Sequence, residues 1–238
     1  MTTTAEIISI GDELLYGQTL DTNAHWISHK LDEYNIKVFQ RTTIGDDADQ
    51  ILNAFATAAE RVDIVLITGG LGPTKDDLTK PLLAKYFGVG MVHHEEVLRD
   101  ITLLFAKASR EVTALNAQQA DLPANCEKIT NPVGTAPGMW FYENNTVFVA
   151  MPGVPYEMKS IMTQGILPKL HEMFSKGVLH HHIIKTIGIT ESSLSDLIED
   201  WEVNLPKHIK LAYLPTKGQV KLRTVSYTHL RAHETDSY

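Results

Sequence analysis

Apolar positions in the first part of the chain follow two alternating periods. Short apolar runs suit buried strands, and segments with apolar residues at every third or fourth position suit amphipathic helices. Strands are predicted over residues 7–10, 36–43 and 64–68, and helices over residues 23–34, 48–62 and 76–87. Strands that alternate with helices in this way predict right-handed crossovers and a mainly parallel sheet, so the predicted fold class is α/β.

Later segments predict less regular structure. Residues 95–120 predict a broken helix, residues 139–142 and 146–151 a hairpin, and residues 155–174 a helix interrupted near Gly165. The hairpin would add antiparallel strands to the parallel sheet. A first domain of residues 1–176 is therefore predicted.

A change of composition at Ser175, Lys176 and Gly177 predicts the domain boundary. Beyond it the pattern predicts a strand, a helix and two more strands, over residues 181–186, 192–202, 209–214 and 220–224. This is the content of a small α+β domain. We place it over residues 177–224.

The composition is that of an acidic globular protein. Its 238 residues are 43% hydrophobic, and 21 basic and 29 acidic residues give a net charge of −8, so no general nucleic-acid surface is expected. The single cysteine, Cys126, excludes an internal disulfide and fits the reducing cytosol. We find no signal peptide and no membrane span, so a cytoplasmic protein without membrane contact is predicted.

A glycine-rich loop after the third predicted strand carries the strongest chemical signal. Gly69, Gly70 and Gly72 free the backbone to turn sharply, and a loop between a strand and a helix start directs N–H groups at an anion such as phosphate. Asp76 and Asp77 stand beside it. Because two carboxylates would repel a bare phosphate, a divalent cation between them is the natural complement.

The same residues also have a purely structural explanation. Acidic residues in the first turn of a helix complement the helix dipole, and Thr74 with Asp77 has the spacing of a capping box, which needs no ligand. The loop also departs from the dinucleotide fingerprint, because Lys75 stands where that motif has its third glycine. It departs from the P-loop too, because its lysine does not follow a glycine.

Three loops should meet outside the carboxyl ends of the strands, over residues 11–21, 69–77 and 152–157, because ligands bind there in such sheets. A backbone loop at Gly134 to Ala136 could enclose a flat ring or a phosphate, or simply form a tight turn. The candidate side chains, each with a capping or solvated-turn alternative, are Asp12, Glu13, Asn23, Asp46 and Glu157. Of the two turn acids, Asp12 is the preferred metal or ribose ligand.

Five sequence blocks resemble the CinA family, the competence/damage-inducible protein A group. They are TGGLGPTKDDLT at 68–79, AEIISIGDELL at 5–15 with Gly17, DTNA at 21–24, NPVGTAPG at 131–138 and PGVPYEM at 152–158. The blocks occur in the family's order, and the resemblance extends from Ala5 to about Thr224. Residues 177–224 resemble part of the family's KH-like middle domain.

This resemblance implies a three-layer domain of the molybdopterin-binding type that hydrolyses ADP-ribose to AMP and ribose 5-phosphate. It implies a divalent metal ion (Mg, Mn or Co), a small nucleotide or pterin ligand, and a homodimer. Asp76 and Asp77 would be catalytic, with Asp12 also on the metal. The expected ligand-binding residues are Gly11, Asp12, Asn23, Gly69, Gly70, Gly72, Pro73, Thr74, Gly134, Thr135, Pro152, Gly153 and Glu157.

Two other functions fit the same resemblance. The domain could bind molybdopterin or a nucleotide without turnover, as a sensor or scaffold. It could instead be a nucleotidyl transferase that activates molybdopterin. The family's nicotinamide-mononucleotide deamidation belongs to a further domain and is not assigned to these residues.

Residues 225–238 resemble one reading frame of a sequencing adapter followed by read-through. An ordinary polar tail is the alternative. We expect an artefact that truncates the native sequence within the second domain, and exclude these residues from the functional argument.

Overall fold

The computed structural model describes residues 2–174, 178–207 and 209–228. They form two compact units, and the first ends at Phe174. The predicted boundary residues 175–177 lie outside the described residues. None of the described helices combines the length and the apolar composition needed to cross a bilayer.

The first unit is built on a six-stranded sheet in the order β2-β1-β3-β8-β7-β6, beside a two-stranded ribbon of β4 and β5. The strands are β1 (Thr4–Ile10), β2 (Lys37–Ile44), β3 (Ile64–Thr68), β4 (Met91–His93), β5 (Asp121–Pro123), β6 (Glu127–Ile129), β7 (Gly138–Glu143) and β8 (Thr146–Met151). Strands β2, β1, β3 and β8 pair in parallel, and β7 and β6 pair antiparallel. The predicted mainly parallel α/β sheet is confirmed.

Helices cover both faces of this sheet. They are α1 (Asp12–Leu15), α2 (Thr22–Glu33), α3 (Ala48–Ala59), α4 (Thr79–Tyr86), α5 (Glu95–Lys107), α6 (Ala114–Ala117), α7 (Pro155–Ile161) and α8 (Leu167–Phe174). One buried cluster joins α3, α4 and α5 to one face, and another joins α2, α7 and α8 to the other. The predicted three layers are therefore present, with β3 buried at every position between them.

Two predicted irregularities are confirmed. Asn144 and Asn145 both have positive φ, 51° and 64°, as the two-residue turn of a tight hairpin requires. The interruption near Gly165 is a π-helical turn, Met162–Ile166, between α7 and α8.

The predicted helix at residues 76–87 is wrong at its start. Helix α4 begins at Thr79, and its N-cap is Leu78, which forms no side-chain cap. The predicted capping box of Thr74 and Asp77 therefore does not cap this helix. Residues 95–120 also divide more than predicted, into α5, α6 and a 3-10 turn at Gln118–Ala120.

The second unit is a three-stranded antiparallel sheet in the order β10-β11-β9, with one helix. Its elements are β9 (Val178–Ile187), α9 (Glu191–Val203), β10 (Ile209–Thr216) and β11 (Gln219–Thr228). Strand β11 continues past the predicted end at Thr224, because β9 and β10 offer pairing partners on both sides. Residues 229–238 lie outside the described residues, so the predicted adapter origin of residues 225–238 stays a prediction.

A buried ion pair ties β1 to the loop after α3. Glu6 is fully buried, and its oxygens accept bonds from Arg61 Nη2 at 2.6 Å, Arg61 Nε at 2.7 Å and the Thr42 hydroxyl at 2.6 Å. This is the two-pronged geometry that arginine favours with carboxylates. It gives a carboxylate buried in the sheet the hydrogen bonds and the opposite charge that burial requires.

Arg61→Met is therefore expected to lower the free energy of unfolding by about 3–5 kcal/mol, since it leaves the Glu6 charge buried without its partner. Urea unfolding measures this. Arg41→Met is the matched control. Arg41 is exposed, and its Nη2 lies 3.9 Å from Asp21 Oδ2, so its ion pair should contribute little to stability. Equal losses in the two variants would contradict the special role of the buried pair.

Candidate functional site

The candidate site lies at the carboxyl ends of the four parallel strands. The chain passes from β1 to β2 on one side and later to β3 on the other, and such a switch point is where α/β sheets bind ligands. An open pocket of about 380 Å³ occupies this position. Residues after β1, β2, β3 and β8 line it, so the structure brings the three predicted loops together.

The glycine loop after β3 is fixed by backbone contacts. Gly69 has a φ of 110°, and its N–H donates to Met151 O at 3.1 Å. Thr79 holds the other side: its hydroxyl donates to Gly69 O at 2.9 Å and its N–H to Gly70 O at 3.1 Å. No hydrogen bond from the Gly70 N–H is found among the described residues, and Gly70 lines the pocket.

Asp77 braces the same loop from within. Its Oδ1 accepts from the Gly72 N–H at 2.8 Å, and its Oδ2 accepts from the Thr74 N–H at 2.9 Å and the Thr74 hydroxyl at 2.6 Å. The N–H groups of Gly69 and Gly72, which were expected to hold a phosphate, are thus paired within the protein, and their role in binding stays a prediction. Asp77 lines the pocket, but its carboxylate oxygens accept hydrogen bonds from the loop itself.

Three other carboxylates, Glu13, Asp46 and Asp76, line the pocket beside this loop. Asp46 is tied to Asp12 by two bonds, from the Asp12 N–H to Asp46 Oδ2 at 3.1 Å and from the Asp46 N–H to Asp12 Oδ1 at 3.3 Å. Burial raises the pKa of the Asp46 carboxyl, the Asp12 N–H lowers it, and the charges of Asp12, Glu13 and Asp76 raise it further. The pocket thus concentrates negative charge.

Asp76 differs from its neighbour Asp77 because its carboxylate is exposed. The Thr74 hydroxyl donates its one proton to Asp77 Oδ2 at 2.6 Å, so it is not paired with Asp76. Asp76 is then open to the pocket.

Glu157 contributes a half-buried carboxyl from the start of α7. Its Oε2 accepts from Asn131 Nδ2 at 2.7 Å, and the same amide group donates to Ala136 O at 2.9 Å. A Cβ at Gly134 would overlap Glu157 Oε2, so a larger residue there would push the Glu157 carboxylate aside. Burial raises the pKa of Glu157, against the bonds from Asn131 and Tyr156, which lower it.

Asn23 joins two of the site loops. It is 8% exposed, and its Nδ2 donates to Thr68 Oγ1 at 3.0 Å and Gly153 O at 2.7 Å. The suggested capping role is wrong, because α2 is capped by Asp21, whose side chain accepts from Ala24 N. Asn23 lines a smaller neighbouring cavity of about 90 Å³.

A buried lysine behind the pocket was not predicted from the sequence. Lys80 is 9% exposed, and its Nζ donates to Gln119 Oε1 at 3.0 Å and Gln119 O at 3.4 Å. Burial lowers the pKa of Lys80 to about 8, against the charges of Asp121 and Asp77. Gln119 itself lines the pocket. A lysine and a glutamine in helical patterns are by default exposed, so no sequence signal marked either residue.

The predicted site residues fall into two groups. Those that line the pocket are Gly11, Gly69, Gly70, Gly72, Pro73, Asp76, Asp77, Thr135, Pro152, Gly153 and Glu157. Asp12, Asn23, Thr74 and Gly134 do not line it, although each contacts a residue that does. The binding role of each residue stays a prediction.

Two protein-family models match this chain and indicate the class of protein to which it belongs. Residues 6–172 match the family model "Probable molybdopterin binding domain", and residues 181–234 match the model "Damage-inducible protein CinA KH domain". The fold also agrees with a molybdopterin biosynthesis protein from Mycobacterium abscessus, at a TM-score of 0.50 and 17% identity over 83% of this chain and 99% of that one.

Closer relatives carry the CinA name. CinA-like proteins of Cytophaga hutchinsonii and Flavobacterium psychrophilum are 48% and 47% identical over 92% of this chain, and over 52% and 53% of their own lengths. The crystal structure of CinA from Thermoplasma acidophilum matches with a TM-score of 0.64 and 33% identity, over 73% of this chain and 98% of that one. The chain belongs to the CinA family, and it spans about half the length of these curated relatives.

Proposed function

We propose that the first unit hydrolyses the diphosphate bond of ADP-ribose, giving AMP and ribose 5-phosphate, with the help of a divalent cation. The observation that carries this proposal is the meeting of Glu13, Asp46 and Asp76 with the Gly70 N–H in one pocket. Carboxylates alone would repel a diphosphate, and a cation between them makes the two compatible.

The donor set suits a hard cation. Glu13, Asp46 and Asp76 offer carboxylate oxygens; burial first, and then the charges of Asp12, Glu13 and Asp76, raise the pKa of Asp46. Within the described part of the chain, no three acidic, histidine or cysteine side chains already converge on one point. Magnesium in phosphate sites is commonly held by one or two carboxylates together with the phosphates of the ligand, so such a cage is not needed. When bound, the ion would neutralise the diphosphate and lower the pKa of water.

The residues of the chain supply positioning and proton exchange. The Gly70 N–H would donate to a phosphoryl oxygen, and Asp77 holds the following part of the loop through Gly72 and Thr74. Asp12 orients Asp46 through their paired bonds. Glu157 can hold a proton at higher pH than an ordinary carboxyl, which suits exchange with a reacting water.

Hydrolysis by the full chain should depend on added metal. With Mg²⁺, Mn²⁺ or Co²⁺ we expect AMP release from ADP-ribose, and with chelator a loss of more than about 100-fold, because the carboxylates would then repel the substrate. Chromatography of the products measures both. Full activity in chelator would rule out the metal, and the absence of AMP with every metal would rule out the hydrolase.

A second function, binding of a pterin ligand without turnover, is favoured by the family match of residues 6–172. Titration with a pterin and with ADP-ribose separates the two proposals. Pterin binding without AMP release would select the binding module. Transfer of AMP to the pterin would select the nucleotidyl transferase instead.

A further inference from the structure

The Lys80–Gln119 pair fixes which end of the Gln119 amide is free. A lysine ammonium can only donate hydrogen bonds, so the Gln119 atom 3.0 Å from Lys80 Nζ must be the oxygen. The nitrogen, Nε2, is therefore the other end. Nε2 is buried, as is the whole residue, which is 1% exposed. Among the described residues, Nε2 has no hydrogen-bond acceptor.

A buried donor without an acceptor is costly, and such groups in native proteins call for an explanation. Here the side chain lines the pocket that also holds the glycine loop and the acids. Its orientation is not accidental, since it is held by a lysine that the fold buries at the start of α4. Both features are explained if a ligand brings the missing acceptor.

We propose that Gln119, oriented by Lys80, recognises a phosphoryl oxygen of the ligand through its Nε2–H group. This deepens the proposed function, because it names a further group that would hold the diphosphate. The positive charge of Lys80 lies behind the amide and polarises it, which favours an anionic oxygen over a neutral carbonyl. Lys80 is then a positioning residue, and Gln119 is the residue that contacts the ligand.

The substitution Gln119→Glu separates this role from a structural one. A glutamate keeps the length of the side chain and can still accept from Lys80, now as an ion pair, so the melting temperature should stay equal or rise. It replaces the Nε2 donor by an oxygen that repels phosphate. We expect affinity for inorganic pyrophosphate and for AMP, each titrated calorimetrically with Mg²⁺, to fall about 10- to 100-fold.

Gln118→Glu is the matched control. Gln118 lies in the same 3-10 turn, is exposed and does not line the pocket, so the same added charge should leave affinity unchanged. Gln119→Met is measured alongside, because it removes the donor without adding charge, and it should also lose affinity. Adenosine, which lacks phosphate, should bind the Gln119→Glu variant as well as it binds the unmodified protein.

The outcomes separate this inference from the hydrolase proposal. Unchanged affinity in Gln119→Glu and Gln119→Met, equal losses for adenosine and AMP, or no binding of either phosphate compound to the unmodified protein would overturn it. If the protein hydrolyses ADP-ribose but its affinity for pyrophosphate and AMP is unchanged in the Gln119 variants, only this inference is refuted. Phosphate binding that depends on Gln119, without AMP release, would support it and refute the hydrolase.

Discussion

Gly69→Ala is expected to destabilise the first unit by about 3 kcal/mol or more. The residue has a φ of 110°, which side-chain-bearing residues rarely adopt, and a Cβ there would overlap the carbonyl oxygen of Ile10. That oxygen belongs to the end of β1, so relief would require the central strands to separate. For a unit of this size, each kcal/mol shifts the melting temperature by about 2–4 °C, so a drop near 10 °C is expected by calorimetry.

Gly90→Ala provides the comparison for this prediction. Gly90 does not have a positive φ, and an added Cβ meets nothing within 4 Å, so its melting temperature should stay close to that of the unmodified protein. If the Gly69→Ala and Gly90→Ala proteins had the same melting temperature, the close approach of Gly69 to β1 would be absent in solution. The glycine loop would then lack the rigidity on which the proposed site depends.

The central part of the fold could be predicted because its residues leave few choices. β3 is an uninterrupted apolar run buried at every position, and its predicted limits are those observed. The hairpin of residues 139–142 and 146–151 was predicted as well, and in the structure Asn144 and Asn145 form its turn. The strands β4, β5 and β6 were not predicted, because three residues are too few to show a period and the sheet context supplies their pairing.

The site could be located from sequence more readily than its roles could be assigned. Strand-end loops must meet, so the pocket at the glycine loop follows from topology. Asp76 and Asp77 look equivalent in sequence, but only Asp77 reaches back to Gly72 and Thr74, which depends on the path of the loop. The start of α4 at Thr79 could not be predicted for the same reason. Thr79 is bonded to the glycine loop, and no capping side chain marks the start of the helix.

This difference between the two aspartates leads to the second large effect. Asp76→Asn should reduce ADP-ribose hydrolysis by at least about 100-fold, more than the 10–100-fold typical of residues that only support a metal ligand. The melting temperature should not change, because the carboxylate is exposed and braces nothing. Asp77→Asn should lower both activity and melting temperature, since it removes an acceptor from the loop.

Asp49→Asn is the control for Asp76→Asn, because Asp49 is an exposed acid in the first turn of α3, away from the pocket. It should leave hydrolysis unchanged and alter stability by less than about 1 kcal/mol, the usual worth of a helix-dipole contact. Activity of Asp76→Asn should recover partly as the metal concentration is raised, since a lost ligand weakens metal binding. If Asp76→Asn behaves as Asp49→Asn does, Asp76 is a surface acid and the cation, if one binds, is held by Glu13 and Asp46 without it.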